Sequence, residues 1–361
     1  MDYKIPLLPL SIDLETKPIL KKLTQAHKAL AELKGVTGII PNQNILINIL
    51  SLQEAKDSSA IENIITTHDE LYTSNFFTKT FTSSAAKEVY NYALALRKGF
   101  EYVKEKHLLT STSILEIQQV IESNSAGFRR LPGTSLKNGH TGEVIYTPPQ
   151  DHQEILRLMQ NLEQFINNDP LSAQDPLIKM AIIHHQFESI HPFYDGNGRT
   201  GLIINILYLV KQKLLDSPVL YLSRYINQKK HLYYKLLQSV REDNNLEDWI
   251  LYMLQAVEDT SYETIYLIQE IKNLMQSYKH RIRETLPKIY SQDLLNHLFN
   301  HPYTKIDFII QELKIHRNTA GKYLEELVIH GFLDKHKIGK DNFYLNTPLF
   351  QLLSRHSKNG D

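Results

Sequence analysis

The stretch His191-Pro192-Phe193-Tyr194-Asp195-Gly196-Asn197-Gly198-Arg199-Thr200-Gly201 lies between two apolar runs, Met180 to Ile190 and Leu202 to Val210. Runs of this kind on either side of a Gly-Asn-Gly turn read as two buried helices joined by a tight loop. The glycines let the backbone turn sharply and bring its N–H groups close to a ligand. A helix beginning near Arg199 aims its unpaired N–H groups and its positive dipole end at that loop, which is a ready site for phosphate. Arg199 adds a fork of donors, and Asp195 can hold a divalent cation that bridges phosphate oxygens. His191 is the one base in the stretch that takes up a proton near neutral pH. A plain glycine turn between core helices, with a satisfied histidine, would have no need of Asp, Asn and Arg together.

Composition narrows the classes. With 361 residues and 42% apolar content, the chain is long enough for two or three domains and a substantial core. Lys+Arg and Asp+Glu both number 40, so no global field favours nucleic acid, a membrane or an acidic substrate. The absence of cysteine excludes disulfides, thiolate metal sites and a cysteine nucleophile. The start, Met1 to Pro6, lacks the apolar core of a signal peptide. The longest apolar run is far short of a bilayer span and is interrupted by Asn205. A cytoplasmic protein without a membrane segment is expected, with secretion as an effector left open.

The central stretch resembles the signature of the Fic family, His-Pro-Phe-x-Asp-Gly-Asn-Gly-Arg-x-x-Arg, at every fixed position but the last, where Leu202 stands. The resemblance implies a mainly α fold, a Fic-type helical bundle carrying a β-hairpin flap. It implies AMP transfer from ATP to a Ser, Thr or Tyr hydroxyl of a target protein. His191 is then the catalytic base and Asp195 the ligand of Mg²⁺. Gly196, Asn197, Gly198, Arg199, Thr200, Gly201 and Leu202 line the nucleotide. The pair Tyr233-Tyr234 falls where the family places aromatic contacts to adenine, although Arg241 replaces a helpful asparagine nearby.

Upstream, Ser58-x-x-x-Glu62-Asn63 is similar to the family's inhibitory helix, whose glutamate obstructs productive ATP binding. Read without the family, Glu62 is a solvated glutamate with Ser58 as a cap. Residues 128–149 form the clearest hairpin candidate, with Asn138-Gly139 as the turn and Pro148-Pro149 as the stop. By resemblance this is the flap, and the backbone of Glu143, Val144, Ile145 and Tyr146 docks the target peptide by strand addition. His184, about two turns before the signature, has no partner at zinc-protease spacing and reads as a packed, hydrogen-bonded core residue.

The expected organisation is an N-terminal helical segment with the inhibitory helix over 1–105, a Fic core over 106–260, a linker helix over 261–285 and a winged helix-turn-helix domain over 286–361. Within the last, Arg317, Asn318, Thr319 and Lys322 open the recognition helix and are the candidate DNA contacts. The segment's basic residues barely exceed its acidic ones, whereas phosphate contacts drive most DNA affinity. Related chains with an N-terminal inhibitory helix imply a homodimer.

Leu202 is the departure with consequences. In the family, an arginine there grips the γ-phosphate and anchors the inhibitory glutamate. Leucine does neither, so looser ATP binding, weaker self-inhibition or removal of AMP from a modified hydroxyl is expected. The alternative from another class is a catalytically weak, nucleotide-sensing Fic scaffold acting as a DNA-binding regulator.

Overall fold

The computed structural model describes residues 3–40, 42–73, 81, 83–137, 139, 141–338 and 340–358. Met1 at the chain start, Pro41, Thr82, Asn138 of the hairpin turn and Gly339 of the expected wing tip lie outside the described residues. The chain is mainly helical and divides into two compact units. The first comprises residues 1–34, 50–65 and 88–262, the second residues 35–49, 66–87 and 263–361.

The chain opens with α1 (Lys17–Thr37), α2 (Gln43–Ile61), α3 (His68–Thr73), α4 (Ser84–Lys106) and α5 (Ser111–Glu122). A short antiparallel hairpin follows, β1 (Leu136–Lys137) and β2 (Val144–Tyr146), with Leu136 opposite Tyr146 and Lys137 opposite Val144. Next come α6 (His152–Asn167), α7 (Pro176–Ile190), α8 (Asn197–Lys211), α9 (Leu222–Gln228), α10 (Lys230–Asp243) and α11 (Leu246–Thr285).

In the first unit α7 and α8 pack on each other, with α6 against α7 and α5 against α8. Every residue of α7 from Leu177 to Ile190 is buried, as is α8 from Arg199 to Leu209. Such continuous burial explains why neither sequence alternates between apolar and polar faces. Each fully buried Leu, Ile or Phe contributes roughly 1.5–3 kcal/mol. The starts of the helices are fixed by side chains: Asp151 Oδ1 accepts the Glu154 N–H at 2.9 Å, and Asp175 Oδ1 accepts the Leu177 N–H at 2.8 Å. Thr110 and Ser113 form a reciprocal cap on α5. Trp249 of α11 donates Nε1–H to the Ala181 carbonyl of α7 at 2.8 Å and is fully buried.

In the second unit α12 (Gln292–Asn300), β3 (Tyr303–Thr304), α13 (Ile306–Leu313) and α14 (Arg317–Ile329) precede the strands β4 (Asp334–Ile338) and β5 (Asp341–Leu345), and α15 (Thr347–Lys358) follows. The sheet is antiparallel in the order β3-β5-β4. Tyr278 Oη donates to the Phe332 carbonyl at 2.9 Å and to Asn346 Oδ1 at 3.0 Å, tying the second half of α11 to the segments flanking β4 and β5. No helix among the described residues is long and apolar enough to cross a membrane.

Two local boundaries differ from the sequence reading. The helix expected near Arg199 starts at Asn197, because Gly196 takes a left-handed conformation (φ 78°) and closes the loop before it. Glu62 lies in a turn just past the end of α2, where Asn63 is left-handed (φ 62°), while Ser58 is fully buried within that helix.

Candidate active site

His191 ends α7 in a left-handed conformation (φ 48°), its N–H bound to the Phe187 carbonyl at 2.9 Å. A non-glycine residue there costs about 1–2 kcal/mol. The fully buried Arg129 holds it in place: Nε donates to the His191 carbonyl at 2.8 Å and Nη2 to the Ile190 carbonyl at 3.3 Å. The Arg129 N–H also donates to the Pro192 carbonyl at 2.8 Å. Burial, then the nearby cations Arg129 and Arg241, holds the His191 imidazole down at about 3, so it is neutral at physiological pH. Its Nδ1 is buried without a hydrogen-bond partner.

The loop that follows is braced from within. Asn197 Oδ1 accepts the Phe193 N–H, and its Nδ2 donates to the Phe193 carbonyl, both at 2.9 Å. Asp195 Oδ1 accepts the Gly196 N–H at 2.7 Å, and Gln118 Nε2 donates to the Asp195 carbonyl at 3.2 Å. No side chain of its own caps the start of α8. Carboxylates brought from distant segments crowd it instead. A Cβ on Gly198 would collide with Oε1 of Glu62, and one on Gly196 with Oε1 of Glu122. Negative groups are favoured at a helix start by its dipole, so these glutamates occupy ground suited to phosphate.

Arg199 is enclosed. Nη2 bonds Glu122 Oε1 at 2.7 Å, Nη1 bonds Glu88 Oε2 at 3.1 Å, and Asp195 Oδ1 lies 4.0 Å from Nη2. Its Nε is buried without a partner. Burial raises the Glu122 carboxyl above the usual carboxylate range against the pull of Arg199. Crowding in the cleft likewise raises Glu62, opposed by Arg199 and Lys230, although that residue keeps contact with solvent. Glu188 is buried beside Gly201 and reaches about 8, by burial first and then the charge of Glu62.

The remaining expected residues divide. Thr200 and Gly201 are buried in the first turns of α8, and Leu202 is buried at 3% exposure on the same side as Gly198, one turn on. Tyr233 is buried, its hydroxyl hydrogen-bonded to His184 Nε2 at 2.8 Å, against Trp249 and Tyr252. It is part of the core, as is His184, which also bonds Asn205 at 3.0 Å. Tyr234 is 45% exposed, and crowding followed by the charges of Glu62 and Glu188 pushes its hydroxyl up. Of the pair, Tyr234 is the exposed ring.

In the hairpin, Glu143, Val144 and Ile145 are exposed, whereas Tyr146 is buried and donates to the Ser189 carbonyl at 2.8 Å. The Ile145 carbonyl accepts from Gln238 Nε2 at 3.3 Å, so one peptide-docking group of that edge is already engaged. Arg241, replacing the asparagine, stacks 3.9 Å above the Tyr146 ring and bonds Ser189 Oγ and the Glu188 carbonyl at 3.2 and 3.3 Å.

Asp195 suits a cation. Its side chain is 78% exposed, with Oδ1 turned into the loop onto the Gly196 N–H. One carboxylate plus substrate phosphates is a usual magnesium donor set.

The candidate DNA contacts lie in the second unit. Arg317, Asn318 and Lys322 are exposed and Thr319 is half-buried at the start of α14. Arg317 is held by Asp307 at 2.8 Å, and the groove beside the helix also carries Glu325 and Glu326. Lys288 and Lys322 line the same groove, so its charges are mixed.

Arg129, Glu88, Glu122 and Glu188 are site residues that the sequence does not single out. None carries a motif of its own, and Glu88 and Glu122 come together with Arg199 only through the packing of α4 and α5.

Three family models match the chain in succession. Fic/DOC family N-terminal covers residues 20–101, Fic/DOC family residues 108–209, and the C-terminal domain of SoFic-like protein adenylyltransferase residues 274–349. A protein adenylyltransferase Fic of Drosophila melanogaster is 28% identical over 134 residues, 36% of this chain and 26% of that protein. The adenylyltransferase fic-1 of Caenorhabditis briggsae is 29% identical over 111 residues, 29% of this chain and 20% of that one. The chain thus spans about a quarter of the length of the curated relatives it matches. A crystal structure of a Fic family protein from Desulfovibrio desulfuricans G20 superposes with a TM-score of 0.59 at 20% identity, over 93% of this chain and 97% of that one. A Fic domain containing signaling protein from Bacteroides thetaiotaomicron VPI-5482 gives 0.53 at 17% identity, over 70% and 97%. These two likenesses show the fold.

Proposed function

The chain belongs to the Fic/DOC family, and from that premise we propose that it transfers AMP from ATP to a Ser, Thr or Tyr hydroxyl of a target protein under restraint by its own Glu62. The observation that carries this reading is the neutral imidazole of His191 standing directly before the glycine-lined start of α8. A neutral imidazole accepts the proton of an incoming hydroxyl. The hydroxyl oxygen then forms a bond to the α-phosphorus while the bond to pyrophosphate breaks.

The N–H groups of the Gly196-Asn197-Gly198 turn receive phosphate oxygens, a kind of fixed donor worth roughly 3–4 kcal/mol when lost from an active site. Asn197 contributes by locking the turn to Phe193. A Mg²⁺ ion held by Asp195 would supply positive charge to the phosphate oxygens when bound. Arg199 reaches the β-phosphate region only when its hold on Glu122 and Glu88 loosens, so these glutamates position it. Tyr234 offers a face to adenine, and the free groups of β2 offer an edge to the target peptide.

Restraint follows from placement. Glu62 lies against Gly198, so its carboxylate and a phosphate compete for one space. With Leu202 where the family carries arginine, Glu62 has no cation one turn further along α8 to anchor it. Self-inhibition is therefore weaker than the family pattern implies, and a loosely held carboxylate can also orient water for removal of AMP.

Incubation with α-labelled ATP and Mg²⁺ tests the reading. Label should appear on protein, increase in Glu62→Gly, and vanish in His191→Ala. Absence of label in both the native chain and Glu62→Gly would overturn it.

A further inference from the structure

In the second unit, two imidazoles converge on one carboxylate. His297 Nδ1 lies 2.7 Å from Glu312 Oε2, and His301 Nε2 lies 2.5 Å from Glu312 Oε1. One ligand atom from each residue falls within 4.8 Å of the others. From these positions we propose that His297, His301 and Glu312 form a binding site for a first-row divalent cation, with zinc the ion that the donor set fits best.

The histidines are four residues apart at the C-terminal end of α12, so their rings share one side, and the glutamate comes from the end of α13. Two imidazole nitrogens and one carboxylate oxygen match the zinc donor set, with a water completing the tetrahedron. Glu312 is exposed and His301 half-buried, which gives ion and water a route in. The C-terminal carbonyls of α12 put the negative end of its dipole beside the site.

A second contact supports ligation. His297 Nε2 lies 2.5 Å from Thr304 Oγ1. A metal-bound histidine almost always donates its other ring N–H to an acceptor that fixes the tautomer. Without metal, the ionised Glu312 only accepts, so His297 Nδ1 carries the proton and Nε2 accepts from the Thr304 hydroxyl. With metal at Nδ1, that proton passes through solvent to Nε2, and the hydroxyl rotates to receive it. The ring is neutral before and after, so no net proton is released from it. The ion would join α12 to α13 in a chain whose lack of cysteine leaves only nitrogen and oxygen donors.

The full chain, stripped with chelator and desalted, is titrated with zinc chloride by calorimetry, with thermal unfolding measured in parallel. One saturable site per chain is expected, with a higher unfolding midpoint that chelator reverses. His301→Ala and Glu312→Gln, both at accessible positions, should each lose at least about tenfold in affinity, and Thr304→Val about 10–100-fold as an outer contact. The absence of one-to-one binding would overturn the proposal and leave the triad a hydrogen-bonded brace. Binding that none of these substitutions weakens would place zinc on other histidines and overturn it equally.

Discussion

Replacing Glu62 with glycine removes a carboxylate from the start of α8, and the structure gives the size of the effect. Its oxygen lies where a Cβ of Gly198 would be, within the reach of a phosphate bound to the same turn. Two unit charges about 4 Å apart repel by about 1 kcal/mol in water and about 4 kcal/mol near a protein surface. Glu62 keeps solvent contact, so about 2 kcal/mol is the appropriate middle, or roughly 30-fold in nucleotide affinity. Glu62→Gln retains the bulk and should recover part of that gain, which separates charge from crowding. Acidity supplies a second handle. The Glu62 carboxyl titrates above the usual carboxylate range, by crowding first and against Arg199 and Lys230. It therefore becomes neutral earlier as pH falls, and the advantage of Glu62→Gly over the native chain should shrink from about pH 8 toward pH 5. Fluorescent ATP-analogue titration at several pH values reads both effects. Equal affinities for the native chain and Glu62→Gly at pH 8 would refute the reasoning.

Four further outcomes are expected. In the Glu62→Gly background, His191→Ala should lower the labelling rate by about 10²–10⁴. Because the His191 imidazole titrates at about 3, well below the ordinary imidazole, the pH profile of kcat/KM should lack a base-protonation limb near pH 6.5. Arg129→Ala leaves the His191 and Ile190 carbonyls without its fully buried donors and should cost on the order of 3 kcal/mol in urea unfolding, with labelling reduced as well. Leu202→Arg restores a cation one turn beyond Gly198. It should suppress basal labelling while Glu62 is present and tighten ATP binding by about tenfold once Glu62 is glycine, as measured by equilibrium binding.

Much of the catalytic loop is legible in the sequence because its chemistry is local. Eleven consecutive residues carry the base, the carboxylate, the hinge and the arginine, and the flanking apolar runs announce two buried helices. The short helices and hairpin of residues 292–345 are legible for the same reason, following one another in unbroken order. What escapes the reading is long-range. Glu88, Glu122 and Arg199 are scattered along the chain, and only the packing of α4 and α5 against α8 makes them one cluster. Arg129 is an ordinary loop arginine until the carbonyls of Ile190 and His191 are seen to converge on it. Tyr233 shows the opposite limit: a tyrosine pair on a helix cannot reveal which ring faces the core, and here the hydrogen bond to His184 decides. The last helix, α15, carries a local start signal. Asn346-Thr347-Pro348 is a helix start, with Asn346 Oδ1 accepting the Leu349 N–H at 3.3 Å and Leu349 and Leu353 fully buried.

The central claim is that nucleotide phosphates sit at the start of α8 with the α-phosphate facing His191. A crystal structure of Glu62→Gly with Mg²⁺ and a non-hydrolysable ATP analogue tests it most directly. The account predicts phosphate oxygens on the backbone N–H groups of the Gly196–Gly198 turn, with a His191 ring nitrogen turned toward the α-phosphorus. Phosphates bound away from that turn, or a His191 ring directed elsewhere, would contradict it.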